Sequence, residues 1–247
     1  MLRSTGSGLI IKGIAKMKSV KIAAMAATAV LAFGVAAQAQ DAPSVSFNVG
    51  AASDYVFRGY SQTDSKPQVY GGADLGIGIF YAGAWISNVD FGDSTDMEYD
   101  IYAGFKPTLG PVSLDIGLLR YGYTNQEDGA DLDFWEGKLA GSVAAGNGTL
   151  GAALFYTPEN FGQTGQATYV ELNGSMPLAE KISVSGALGH QALEGDGDYE
   201  TWNLGLGYAI NDTFGIDVRY WDTNVKKSDD PGKLTSGRVV VGLKAAF

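Results

Sequence analysis

Residues 201–210 read Thr201-Trp202-Asn203-Leu204-Gly205-Leu206-Gly207-Tyr208-Ala209-Ile210. In an extended chain Trp202, Leu204, Leu206, Tyr208 and Ile210 share one face, and Thr201, Asn203, Gly205, Gly207 and Ala209 share the other. Strand side chains alternate between two faces, so a period of two held over ten positions predicts a strand with one greasy and one small or polar face. The last residues repeat the pattern, with Val239, Val241, Leu243, Ala245 and Phe247 opposite Arg238, Val240, Gly242, Lys244 and Ala246.

Outward from these two segments, the sequence after residue 41 divides into about twelve predicted strands. They fall near 44–58, 67–78, 80–88, 96–107, 111–123, 132–145, 149–157, 166–177, 181–192, 199–210, 214–223 and 237–247. Their length lies near the ~10 residues of a tilted membrane strand, against about 5 for a soluble one. The connections alternate in kind. Short turns fall at Gly78, Pro107–Pro111, Gly146–Gly148, Pro177–Lys181 and Asn211–Thr213. Longer polar loops fall at Tyr60–Lys66, Val89–Thr95, Asn125–Asp131, Pro158–Gly165, Leu193–Asp198 and Asn224–Ser236. An even strand number, short turns on one rim and long loops on the other predict an all-β fold: a transmembrane antiparallel up-and-down β-barrel of the bacterial outer membrane. A water-soluble barrel or sandwich also alternates, but the faces opposite the greasy ones here carry charges and glycine rather than a second set of core residues. Tyr55, Tyr121, Tyr123, Trp135, Tyr156, Trp202, Tyr220 and Trp221 lie near strand ends, where interfacial girdles are expected.

Before residue 40 the sequence follows another logic. From Met17, basic Lys18 and Lys21 precede the apolar run Ile22–Ala37 and the small-residue site Ala37-Gln38-Ala39. This is the build of a cleavable signal peptide over residues 1–39, with the start at Met1 or at Met17, followed by a barrel domain over 40–247. The Ala-rich run is short of the ~20 strongly apolar residues of a membrane-spanning helix.

Composition narrows the function classes. Among 247 residues there are 35 glycines and no cysteine, which removes disulfides, thiolate metal sites and cysteine nucleophiles. Charged residues make up 18%, below the roughly 25% of soluble domains. Five of the 17 Lys and Arg (Arg3, Lys12, Lys16, Lys18, Lys21) precede residue 40 and no acid does, leaving 12 against 27 and a formal charge of −15 on the remainder. A surface this acidic repels nucleic acid and attracts cations.

If the greasy faces meet lipid, the opposite faces line the interior. That rule directs Asn48, Asp54, Arg58, Asp74, Glu98, Asp100, Lys106, Asp115, Glu136, Lys138, Glu171, Asp217, Arg219, Arg238 and Lys244 inward. Mixed charges of this kind suit either a hydrated, selective pore or a salt-bridged, closed interior, and twelve strands lie between the ~8 that side chains fill and the 16 that leave a wide channel. Asp54 and Arg58, four apart on one face, are placed to pair near the outer rim. The expected function is passive diffusion of small hydrophilic solutes or cations; the alternative is a closed barrel acting through its outer loops in adhesion or recognition.

Ser53-Asp54-Tyr55-Val56-Phe57-Arg58-Gly59-Tyr60-Ser61-Gln62, Pro67-Gln68-Val69-Tyr70-Gly71-Gly72-Ala73-Asp74 and Phe80-Tyr81-Ala82-Gly83-Ala84-Trp85-Ile86-Ser87-Asn88-Val89 together resemble the TorF family of proteobacterial porins. The similarity runs from about residue 44 to Phe247. It implies an outer-membrane barrel of porin type in a Gram-negative cell, with no assigned substrate and no functional residues to carry over.

No catalytic apparatus, cofactor or metal site is expected. The one histidine, His190, lies on the opposite face from Ser183 and Ser185, beyond the ~3 Å contact a Ser-His pair needs. The acidic runs Glu127, Asp128, Asp131, Asp133 and Glu194, Asp196, Asp198, Glu200 lack EF-hand spacing and suit solvated loops. The partners implied are outer-membrane lipid and lipopolysaccharide, the barrel assembly machinery, and the permeating solute or cation.

Overall fold

The computed structural model describes residues 42–195 and 197–247, so the expected signal peptide and Asp196 lie outside the described residues. Twelve long strands are present among them: β1 (Ser44–Ala52), β2 (Gln68–Ile77), β3 (Phe80–Asn88), β4 (Met97–Phe105), β5 (Val112–Thr124), β6 (Phe134–Ala145), β7 (Gly148–Thr157), β8 (Ala167–Ala179), β9 (Ile182–Leu193), β10 (Tyr199–Ala209), β11 (Phe214–Thr223) and β12 (Arg238–Ala246). Each pairs antiparallel with its neighbours in sequence, and β12 pairs with β1, closing an up-and-down barrel. Closure supplies every strand with a partner on both sides, as a span in hydrocarbon requires. The described residues contain no helix long and apolar enough to cross a membrane.

The alternation seen in sequence is the alternation of the wall. Phe47, Leu172, Leu188, Leu204 and Val239 stand outward and exposed, while the residues between them turn inward. In water such a surface is an aggregation hazard; in lipid it is the face that burial rewards. At the seam the Phe47 and Phe247 backbones exchange hydrogen bonds of 3.1 and 2.9 Å.

Three expectations change on inspection. First, β1 stops at Ala52 rather than continuing to 58. Arg58 and Gly59 take positive φ (47° and 90°), and residues 56–61 fold back as a two-residue-per-strand hairpin inside the barrel. The segment alternates because both its sides are packed, not because it is wall. Second, the expected girdle splits. Trp135, Tyr156, Trp202 and Tyr220 face outward, whereas Tyr55, Tyr121, Tyr123 and Trp221 are buried inside. Third, the interior does contain a core. Tyr55, Val89, Leu119, Tyr121, Tyr123 and Phe134 are buried together, with Phe57, Trp85, Phe91, Tyr102, Leu132 and Phe161 packed against them.

Candidate functional site

The lumen is the one interior the barrel encloses, and its two halves are built differently. At the loop end the hairpin segment 53–67 fills it. Asp54 accepts hydrogen bonds from Ser61 (2.7 Å) and Thr63 (2.9 Å) and forms a 2.6 Å ion pair with Arg238 of β12. The expected Asp54–Arg58 pair does not form. With β1 ending early, Arg58 points across the lumen instead, into a 2.8 Å ion pair with Glu136 of β6 and a 3.2 Å hydrogen bond to Gln191 of β9. Its guanidinium also lies over the rings of Phe57, Phe155 and Tyr169, at 4.7, 4.9 and 4.4 Å. Around it, Tyr55 donates to Glu98 (2.9 Å) and Tyr121 donates to Glu136 (3.1 Å). Asp100 is 1% exposed and neither carboxylate oxygen has a hydrogen-bond partner. A buried carboxylate without partners is costly, and here Glu98 and Glu136 are its neighbours.

The turn-end half is built on ion pairs and on tyrosines laid along the wall. Lys138 and Asp115 pair at 2.6 Å, and Arg219 meets Asp217 at 3.0 Å while donating to Asn203 and Ser185. Tyr102 of β4 donates to Asp74 of β2 (2.6 Å), and Tyr81 of β3 donates to Asp115 of β5 (2.7 Å). Each tyrosine therefore reaches across an intervening strand, and what lies under the ring is glycine. A Cβ at Gly83 would sit 2.5 Å from the Tyr102 ring, and one at Gly104 2.6 Å from the Tyr81 hydroxyl. The missing side chains let the rings lie flat along the wall instead of projecting into the lumen, a close approach that only glycine allows. Lys106 stands over the Tyr81 ring at 4.6 Å.

The inner face thus holds Asp54, Arg58, Asp74, Asp100, Lys106, Asp115, Glu136, Lys138, Glu171, Asp217, Arg219, Arg238 and Lys244, all buried or half-buried. Glu171 accepts from Tyr169 and Asn173. Sequence reasoning missed Gln191, Tyr169, Phe155 and the wall-lying tyrosines. Inward tyrosines matched in register by glycine on the next strand were the available signal, since Tyr102 opposes Gly83 and Tyr81 opposes Gly104.

Elsewhere the chemistry is plain. His190 faces outward, paired in register with Val170 and Glu200 and 3.6 Å from the Glu200 carboxylate, with no serine opposite. In the acidic loops, Asp133 is engaged by Arg120, Gln126 and the Tyr123 amide, and Glu194 and Asp198 accept from backbone amides. Among the described residues no acidic or histidine group converges on a metal position.

A family model described as a bacterial protein of unknown function (Gcw_chp) matches residues 36–247. The chain belongs to the Gcw_chp family. No curated protein matches the sequence. Among solved structures, this Gcw_chp barrel is similar to the KdgM porin, with TM-score 0.56 and 12% identity over 82% of this chain and 99% of that one. The same porin in complex with a disordered oligogalacturonate gives 0.54 and 11% over 83% and 99%. The NanC porin gives 0.53 and 8% over 83% and 99%. At such identities the likeness concerns the fold. Of the resemblance to TorF porins, the comparisons establish the coarser content: a bacterial family of undescribed function and a porin fold.

Proposed function

We propose that this Gcw_chp barrel is a porin-like channel of the Gram-negative outer membrane. It passes small hydrophilic solutes by diffusion, prefers cations, and is narrowed at its loop end by segment 53–67. The observation that carries this reading is the turn-end lumen, where glycines lay Tyr81 and Tyr102 against the wall and half-exposed polar groups remain free to be wetted. A barrel built only to be closed has no need to flatten its inner rings. The pore-lining residues on this reading are the inward charges named above. The four lumenal ion pairs Arg58–Glu136, Lys138–Asp115, Arg219–Asp217 and Arg238–Asp54 leave Asp74 and Glu171 level with Lys106 and Lys244, while Glu98 and Asp100 lie buried in the loop-end core. The outer loops carry the excess of negative charge, with Asp64, Asp90, Asp93, Glu127, Asp128 and Asp131 against Lys66 in three of them, and an acidic mouth concentrates cations. It also suits a polyanion such as the oligogalacturonate held by the similar porin poorly. Outer-membrane lipid and lipopolysaccharide would surround the apolar belt, and the barrel assembly machinery would insert it. No enzymatic step is proposed.

A second reading has its own support: the aromatic packing around Arg58 suits a closed barrel that acts through its outer loops. Planar-bilayer recording of refolded protein in a salt gradient separates the two. Discrete steps with a cation-selective reversal potential are expected of the channel. A folded, heat-modifiable barrel that stays silent at every voltage overturns it and favours the second reading.

A further inference from the structure

At the level of segment 53–67 the inner wall is dry. Ser87, Glu98, Glu136, Tyr169, Gln191 and Thr201, inward residues of β3, β4, β6, β8, β9 and β10, are each 4% exposed or less. They stand around the circumference of the tube, and a pore open to water at this level would wet them. The segment itself keeps water off. Tyr55 reaches Glu98 of β4, Arg58 reaches Glu136 of β6 and Gln191 of β9, and the Tyr60 ring meets that of Tyr199 of β10 at 5.2 Å. Gly59, at φ 90°, seats the hairpin turn against β10 and β11, where a Cβ would come within 2.6 Å of Thr201 and 2.4 Å of Thr223.

The segment is held differently from the wall. Its ends are fixed: the Ser53 amide donates to the Val241 carbonyl (2.9 Å) and the Gln68 side-chain amide to the Ser87 hydroxyl (3.0 Å). Between them residues 54–66 touch the wall through side chains. Among the described residues, the main-chain hydrogen bonds that leave 54–66 run to outer loops, from the Ser61 amide to the Leu234 carbonyl and from the Asp90 amide to the Gln62 carbonyl, both at 2.8 Å. Stretches bonded without a strand ladder are the ones that open locally at low cost. Arg238, the first residue of β12, ties the parts together. Its guanidinium donates to Asp54 (2.6 Å) and Ser65 (3.0 Å) of the segment and to the Ser236 (3.0 Å) and Lys233 carbonyls of loop 224–236. Within that loop Asp230 accepts from the Leu234 and Thr235 amides and the Thr235 hydroxyl, which fixes the peptide whose carbonyl Ser61 uses.

We infer that segment 53–67 is a gate, shut in this conformation, and that Arg238 is the latch through which outer loop 224–236 holds it. Displacing the loop takes from the segment its Ser61 bond and, through Arg238, the ion pair on Asp54. With both ends still anchored, residues 54–66 then leave the lumen and the dry level is wetted. The inference rests on the channel reading and adds to it that passage is switched from the loop side of the barrel.

The chain has no cysteine, so a single introduced thiol reports on the segment. Val56 is buried against Trp221 and Val240. In refolded Val56→Cys barrel, modification by a trimethylammonium methanethiosulfonate is expected to be slow beside that of Ser228→Cys on the exposed loop, and bilayer recordings are expected to show channels that are mostly shut. Arg238→Gln in the Val56→Cys background removes the latch cation and is expected to quicken modification about tenfold or more, with the open fraction rising alongside. Gly59→Ala, which unseats the turn and leaves every wall strand as it is, is expected to act in the same direction and serves should Arg238→Gln not refold. Modification of Val56→Cys as fast as that of Ser228→Cys, or a rate that neither variant moves, overturns the gate; a preparation of that kind that conducts leaves the channel standing. Modification that quickens in a barrel that never conducts upholds the latch and overturns the channel reading.

Discussion

The loop-end and turn-end halves of the lumen are made from the same alphabet of tyrosines and charges and come out opposite in character. Around Arg58 the rings pack against one another, with Tyr121 and Phe134 stacked at 4.4 Å and Tyr55 edge-on to Trp85 at 5.5 Å, and Leu119 is almost fully buried. Toward the turns the rings lie on glycine and carry their charges beside them. What separates the halves is the chain segment that enters the barrel at one end; glycine under a ring occurs in both, at Gly189 beneath Tyr169 as at Gly104 beneath Tyr81. A barrel can thus hold a soluble-type core and a wettable passage in one tube.

Removing the cation at the centre of the packed half is the strongest challenge to this division. Arg58→Ala leaves Glu136 buried without its cation, with only the Tyr121 hydroxyl still donating to it, and breaking a buried pair costs about 3–5 kcal/mol. The urea midpoint in detergent is expected to fall accordingly and conductance to rise as segment 53–67 loosens; an unchanged midpoint with unchanged conductance removes the role given to the segment. The matching challenge to the wettable half is Gly83→Ala. A methyl group 2.5 Å from the Tyr102 ring forces the ring off the wall at about 1–3 kcal/mol, and conductance is expected to drop because the ring then projects inward. Equal conductance would show that the flattened ring does not set the passage.

Smaller and opposite in sign is Asp100→Asn. It replaces a buried, unpartnered carboxyl group set beside Glu98 and Glu136 by a group that never ionises, with no hydrogen bond lost, and a stabilisation of about 1 kcal/mol is expected in the same urea titration. A destabilisation of that size would mean that Asp100 charge is compensated in the folded barrel. The smallest effect lies outside the membrane, where Lys66 and the Gly92 amide hold the Asp90 carboxyl below its usual value of 3.8. A depressed carboxyl stabilises above its unfolded value and loses that contribution as pH falls through the folded one. The protection factor of the Asp90 amide, bonded to the Gln62 carbonyl at 2.8 Å, is expected to fall below pH 3.8, and less so in high salt because both side chains are substantially exposed. Salt-independent exchange would break the link.

The wall was legible in the sequence because lipid outside and polar lumen inside impose a period of two, as in Trp202 to Ile210, and the turn-and-loop alternation follows from the meander. The site was legible only in part. Which residues face inward follows from the same period, but what they touch does not. Asp54 and Arg58 sit four apart in a run that alternates like wall, yet their partners, Arg238 and Glu136, are 184 and 78 positions away. Alternation describes any segment with two different faces, and a hairpin packed inside a barrel has them too. Tyr55, Tyr121 and Trp221 were assigned to a girdle for the same reason: nearness to a strand end says nothing of side when a ring can be buried inward.

The seam between β1 and β12 has a consequence for how the barrel comes into being. Every other pair of neighbouring strands is joined by its own turn or loop, so those contacts form within short stretches of chain. The seam sets Asn48 opposite Ala246, 198 positions apart. The entropy of closing a long loop falls almost wholly on this single pairing, and pairings of high sequence separation are the slow ones. Closure is therefore the late event of assembly, and lesions at Phe47 or Phe247 act on the rate at which an open sheet becomes a tube, whereas lesions in the hairpins act on pieces already formed.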